Sequence, residues 1–112
     1  MILYGIPNCD TVRKARKFLD ANNIQYTFHD FRKDGLALQT IQHWLKSQPI
    51  ELLVNKRSTS WKQITDEQKN QLMSGADLSL LLELPTLIKR PILEMDTQLM
   101  VGFKAAEYET LL

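Results

Sequence analysis

Cysteine is nearly absent from this 112-residue chain: Cys9 is the only one, which excludes an internal disulfide and a two-cysteine redox switch. Glycine and proline are scarce, with four of each, and no Gly- or Pro-rich linker, internal repeat or low-complexity tract divides the sequence. Neither charge sign dominates, because 14 Lys and Arg stand against 13 Asp and Glu. No overall field therefore draws the chain to nucleic acid or to an acidic membrane surface, and any anion site must be local. No apolar run approaches a membrane span, and Met1-Ile2-Leu3-Tyr4 opens without a basic leader, so the expected setting is the reducing cytoplasm. What is present is core material: 33 of the 112 residues are Leu, Ile, Val or Phe. A single domain of this length buries roughly two-thirds of its unfolded surface and needs no metal or disulfide to fold.

The consecutive apolar residues Ile2, Leu3 and Tyr4 before Gly5 and Pro7 predict a short central strand. Val12, Ala15, Phe18 and Leu19 then recur at helical spacing, predicting a helix from about Asp10 to Ala21 with a stop at Asn22-Asn23. Ile24, Tyr26 and Phe28 alternate with Gln25, Thr27 and His29, the period of a half-buried strand. Strand, helix and strand imply a right-handed parallel unit. From Asp34 the period becomes helical, through Leu38, Ile41, Trp44 and Leu45 to Pro49. Thr65-Asp66-Glu67-Gln68 has the form of a capping box and Asp77 can cap Leu78 to Leu84, which places helices near 65–73 and 77–84. Ile92 to Met95 and Leu99 to Val101 around Asp96-Thr97-Gln98 read as a hairpin, followed by a last helix from Lys104 to Leu112. The expected architecture is one α/β domain over 1–112, with a helical insertion at about 34–84 on a small mixed sheet.

Cys9 falls between the first strand and the first helix. A free thiol is only a few per cent thiolate at neutral pH, but unpaired amides at a helix start favour the anion. Arg13, one turn along, could bring its guanidinium toward the sulfur, and Asp10 opposes it. Position alone leaves two readings open, a nucleophile and a small buried hydrophobe.

The stretch Pro7-Asn8-Cys9-Asp10-Thr11-Val12-Arg13-Lys14-Ala15, with Val54-Asn55-Lys56-Arg57-Ser58-Thr59-Ser60-Trp61 and Ile88-Lys89-Arg90-Pro91-Ile92, resembles the arsenate reductase (ArsC) family. The likeness spans essentially the whole chain and is greatest to the short YffB-type branch, which is related to the Spx regulators. It implies a thioredoxin-like fold, a redox-active Cys9, a substrate site with Asn8, Arg13, Arg57 and Arg90, and a cis peptide before Pro91. Read as isolated residues, Arg57 and Arg90 are either solvated charges or arms of an anion clamp; the motifs around them favour the clamp, converging in front of Cys9. Asn55 competes with Arg57 as the match to the family's earlier arginine. The family's late arginine falls near Gly102-Phe103, where this chain has none, so arsenate is expected to be a poor substrate.

Thioredoxin-type redox proteins often carry a resolving cysteine three residues after the first, and here that place is Val12. An intermediate on Cys9 must then be released by an external thiol. The expectation is a glutathione-dependent thiol reductase without bound cofactor or metal, acting as a monomer on a small-molecule or protein thiol or disulfide, with glutathione as co-substrate and glutaredoxin as a further partner. The competing readings are an Spx-like regulatory binding protein with little turnover and a weak arsenate reductase. His29 and His43 lack metal-ligand spacing. His29 reads as a surface residue at the sheet edge rather than a base for Cys9. The run Arg13-Lys14-Ala15-Arg16-Lys17 reads as a solvated helix face.

Overall fold

Ile2–Gly5 forms β1, whose buried Leu3, Tyr4 and Gly5 place it inside a sheet, as its unbroken apolar run requires. It pairs in parallel with β2 (Thr27–Asp30) and antiparallel with β3 (Ile92–Glu94), and β3 continues antiparallel to β4 (Leu99–Val101). The order β2-β1-β3-β4 is a four-stranded mixed sheet. The computed structural model describes all residues 1–112 and divides the chain into two compact units. One is Met1–Gly35 with Arg90–Leu112, and carries the sheet; the other is the helical segment Leu36–Lys89.

Helix α1 (Asp10–Ala21) has the predicted bounds. Its apolar stripe of Val12, Ala15 and Leu19 is fully buried, and its end is closed by local bonds. Asn23 takes a left-handed φ of 55°, which lets the Ile24 N–H reach back to the Leu19 carbonyl at 2.9 Å. That closure shortens the second strand relative to the alternation over Ile24 to His29: Ile24 is tied to the helix end, residues 25 and 26 lead across, and pairing begins where Thr27 meets Ile2. Phe28, Leu3, Leu93 and Met100 lie in register across the four strands. Leu3, Leu93 and Met100 pack with Ala15, Leu19 and Tyr108 as one core cluster, against which Phe28 packs. Each fully buried side chain of this kind contributes about 1.5–3 kcal/mol. The last helix, α7 (Ala105–Glu109), is shorter than the expected 104–112. It delivers Tyr108, which is fully buried with its hydroxyl unpartnered and its ring edge-on to Phe18 at 5.8 Å. Burial, reinforced by Glu107, pushes the Tyr108 hydroxyl pKa well up.

In the second unit the helices are α2 (Leu38–Ser47), α3 (Ile50–Leu53), α4 (Thr59–Gln63), α5 (Asp66–Met73) and α6 (Ser79–Glu83), ending in a 3-10 turn at Pro85–Leu87. Both halves of the Thr65–Gln68 capping box are formed. Asp77 accepts from the Ser79 N–H, so α6 starts two residues later than expected. The short α3 and α4 carry no clear period of their own. An isolated antiparallel bridge, Val54 to Ile88, joins the residue after α3 to the residue after the 3-10 turn. No helix of the chain is long and apolar enough to cross a membrane.

Two substitutions test this packing. A Cβ on Gly5 would lie 2.8 Å from Cγ2 of the buried Val12, so Gly5→Ala should cost about 1–3 kcal/mol, read as a lower urea midpoint. Tyr108→Phe removes a buried hydroxyl that has no partner, so its urea midpoint should equal or exceed that of wild type. A loss of more than about 1 kcal/mol in Tyr108→Phe would mean that the hydroxyl is bonded.

Candidate active site

The end of β1 and the start of α1 are joined by a four-residue turn, Ile6 to Cys9, closed by the Cys9 N–H on the Ile6 carbonyl at 3.3 Å. Cys9 is the N-cap of α1, with extended backbone at φ −106°, ψ 126°, and its carbonyl accepts the Arg13 N–H at 2.9 Å. No conventional side-chain cap closes this helix start; the amides of Val12 and Thr11 bond to the sulfur instead. Its partial burial pushes the thiol pKa up. The Val12 N–H, the Arg90 guanidinium by both hydrogen bond and charge, and the Thr11 N–H together outweigh burial, and the net shift is downward.

Arg90 reaches the sulfur from the opposite side of the chain. The Arg90-Pro91 peptide is cis. Pro91 is buried, and its carbonyl accepts the Gly102 N–H at 2.8 Å, which fixes this segment to the end of β4. Beyond the sulfur, Nε and Nη1 of Arg90 are enclosed with no hydrogen-bond partner. The charge of the guanidinium is therefore held against the sulfur, with these two donors buried.

The other sequence-predicted residues fall differently. Asn8 is exposed in the turn before Cys9. Arg13 does not act on the sulfur: its Nη1 is paired with the Asp10 carboxylate, and both side chains are largely exposed. The pair cancels the charge of Asp10 beside Cys9, a role that helical i,i+3 spacing permits and that the expectation of a direct approach to sulfur overlooked. Arg57 belongs to the helical unit, where it is exposed and its backbone N–H donates to Oδ1 of Asn55 at 3.1 Å. His29 lies on the edge strand as expected, yet it is half-buried. Its ring sits 4.7 Å from that of Tyr4 and its Nε2 is 2.6 Å from the Gly35 carbonyl, so it is committed away from Cys9. His43 is exposed on α2. The helix-start amides expected to favour the thiolate are those of Thr11 and Val12.

The model of the ArsC family matches residues 4–111. The chain belongs to the ArsC family. An uncharacterized protein of Haemophilus influenzae is 46% identical over 107 residues, covering 96% of this chain and 94% of that one. The solved structure of a YffB protein superposes with a TM-score of 0.90 at 34% identity, covering 97% of this chain and 96% of that one. A global transcriptional regulator, Spx of Lactiplantibacillus plantarum, is 26% identical over 114 residues, covering 100% of this chain and 86% of that protein. The four-stranded sheet with its helical insertion is accordingly the thioredoxin-like fold of ArsC proteins.

The electrostatics of this ArsC site predict the pH dependence of Cys9. Iodoacetamide alkylation plotted against pH should inflect below the free-thiol value of about 8.5, and Arg90→Gln should move the inflection upward. The same shift acts on stability. The folded chain holds the thiolate better than the unfolded chain, so the increment is fully present above the unfolded thiol pKa and is lost as pH falls through the lower folded value. Cys9→Ser should remove that increment and still unfold cooperatively, since serine is a good N-cap.

Proposed function

We propose that this ArsC-family protein is a glutathione-dependent thiol reductase in which Cys9 is the nucleophile. The observation that carries the reading is a single cysteine whose sulfur faces helix-start amides and the Arg90 guanidinium, with no second cysteine to resolve an intermediate. The Cys9 thiolate attacks the glutathione sulfur of a mixed disulfide. A new bond forms between Cys9 and glutathione, the old sulfur–sulfur bond breaks, and its electron pair leaves with the substrate as a thiolate. A second glutathione thiolate then attacks the glutathione sulfur on Cys9, giving oxidised glutathione and returning the Cys9 thiolate. Over the cycle one glutathione thiolate and the mixed disulfide become the substrate thiolate and oxidised glutathione, one disulfide replacing another, and no cofactor is needed. Arg90 acts in both steps, holding Cys9 as the anion and as the leaving group by its hydrogen bond and its charge. A doubly charged oxyanion needs more compensating charge, and Gly102-Phe103 supplies none where a late arginine would stand.

The second reading, a regulator with little turnover, is favoured by the similarity to Spx over the whole chain. Intact mass after incubation with oxidised glutathione separates the two. A single glutathione adduct on wild type, absent in Cys9→Ser and removed by reduced glutathione, is the expected outcome. Arg90→Ala should slow adduct formation by about tenfold or more, the loss of one charge-assisted hydrogen bond. Catalytic disulfide exchange should exceed arsenate reduction. Efficient arsenate turnover, or an adduct that reduced glutathione leaves in place, would overturn the assignment.

A further inference from the structure

The basic run of α1 is not accounted for by the chemistry at Cys9. Asp10, Arg13, Lys14 and Lys17 stand at positions i, i+3, i+4 and i+7 of the helix, so they form one stripe that begins at Cys9, and all four are exposed. Asp10 is paired with Arg13, and the chain's other ion pair is Asp66 with Lys69, which leaves Lys14 and Lys17 without an acidic partner. Arg16 is excluded from the stripe, because its guanidinium lies 4.2 Å over the ring of Phe28. Lys14 and Lys17 stand in the middle of α1, outside the last turn where the macrodipole would favour a cation. Lys14 stands about 7.5 Å and Lys17 about 12 Å along the helix axis from Cys9, at a rise of 1.5 Å per residue.

Building on the thiol-reductase reading, we infer that this stripe is a specificity element for protein substrates. It receives an acidic segment lying beside the disulfide that Cys9 attacks. The geometry selects such a partner over glutathione alone. A segment anchored by its sulfur at Cys9 and running along α1 meets two unpaired ammonium groups within its first few residues, whereas the short glutathione molecule engages Cys9 and Arg90. Such charges act mainly on encounter and are screened by salt.

The experiment compares turnover of three glutathionylated peptides of equal length, with acidic, neutral or basic residues flanking the cysteine, and of oxidised glutathione. Wild type should prefer the acidic over the basic peptide by about tenfold in kcat/KM at low salt, a preference that fades near 1 M salt, where the Debye length is about 3 Å. Lys14→Glu/Lys17→Glu should reverse the preference and Lys14→Gln/Lys17→Gln should abolish it, both keeping exchange with oxidised glutathione within about twofold, as its site lies at Cys9 and Arg90. Equal turnover of all peptides by wild type, a preference indifferent to the substitutions, or an equal loss toward oxidised glutathione would overturn the stripe's role while leaving the reductase intact. A wild type inert toward every disulfide would instead remove the reductase reading and the docking surface with it.

Discussion

A sulfur anion that is partly buried must be compensated by fixed donors, and the sheet-bearing unit is arranged around meeting that demand at Cys9. Burial alone would hold the thiol protonated. Two amides at the helix start and one guanidinium reverse the outcome, because they are positioned before any charge appears. The helix start sits close to the strand: β1 runs into α1 with Gly5 against Val12, and a side chain at Gly5 would collide with the Val12 side chain. Arg90 arrives through the segment that opens β3, where Pro91 is tied to Gly102 at the end of β4. The hairpin of β3 and β4 is thus a support for the guanidinium as well as a pair of strands.

The absence of a second cysteine limits what this centre can do alone. A thioredoxin-type pair closes its own cycle. A single thiolate needs a partner thiol to finish, which makes the surface around Cys9 as important as the sulfur. On that surface Asp10 and Arg13 neutralise each other, and the unpaired charge is carried by Lys14 and Lys17. The same helix therefore performs two tasks with its two faces. Val12, Ala15 and Leu19 fix it to the sheet, and the opposite stripe faces whatever approaches the sulfur.

The elements legible from the residues were those whose signals are local. The helix over Asp10–Ala21, the Thr65 capping box and the hairpin turn between Glu94 and Leu99 each depend on contacts within a few residues, and all three formed as their patterns predict. The second strand was read too early because alternation cannot tell a strand from a segment that closes a helix; only the neighbour across the sheet decides. The partners of Arg13 and His29 were not legible for a related reason. A side chain's nearest attractive group is a matter of geometry: Arg13 found Asp10 on its own helix, and His29 found the Gly35 carbonyl and the ring of Tyr4.

By itself the sequence determined that this chain carries one thiol at the start of an amphipathic helix, without a resolving partner, and that its charges nearly balance. Those are properties of composition and short-range spacing, which no packing can alter. Tertiary structure alone decided which cation reaches the thiol. Arg13 is four residues from Cys9 and does not act on it, whereas Arg90 is remote in the chain and does. The reason is that β3 pairs with β1, so the residue leading into β3 is carried to the end of β1 where Cys9 begins its helix, and proximity in space replaces proximity along the chain.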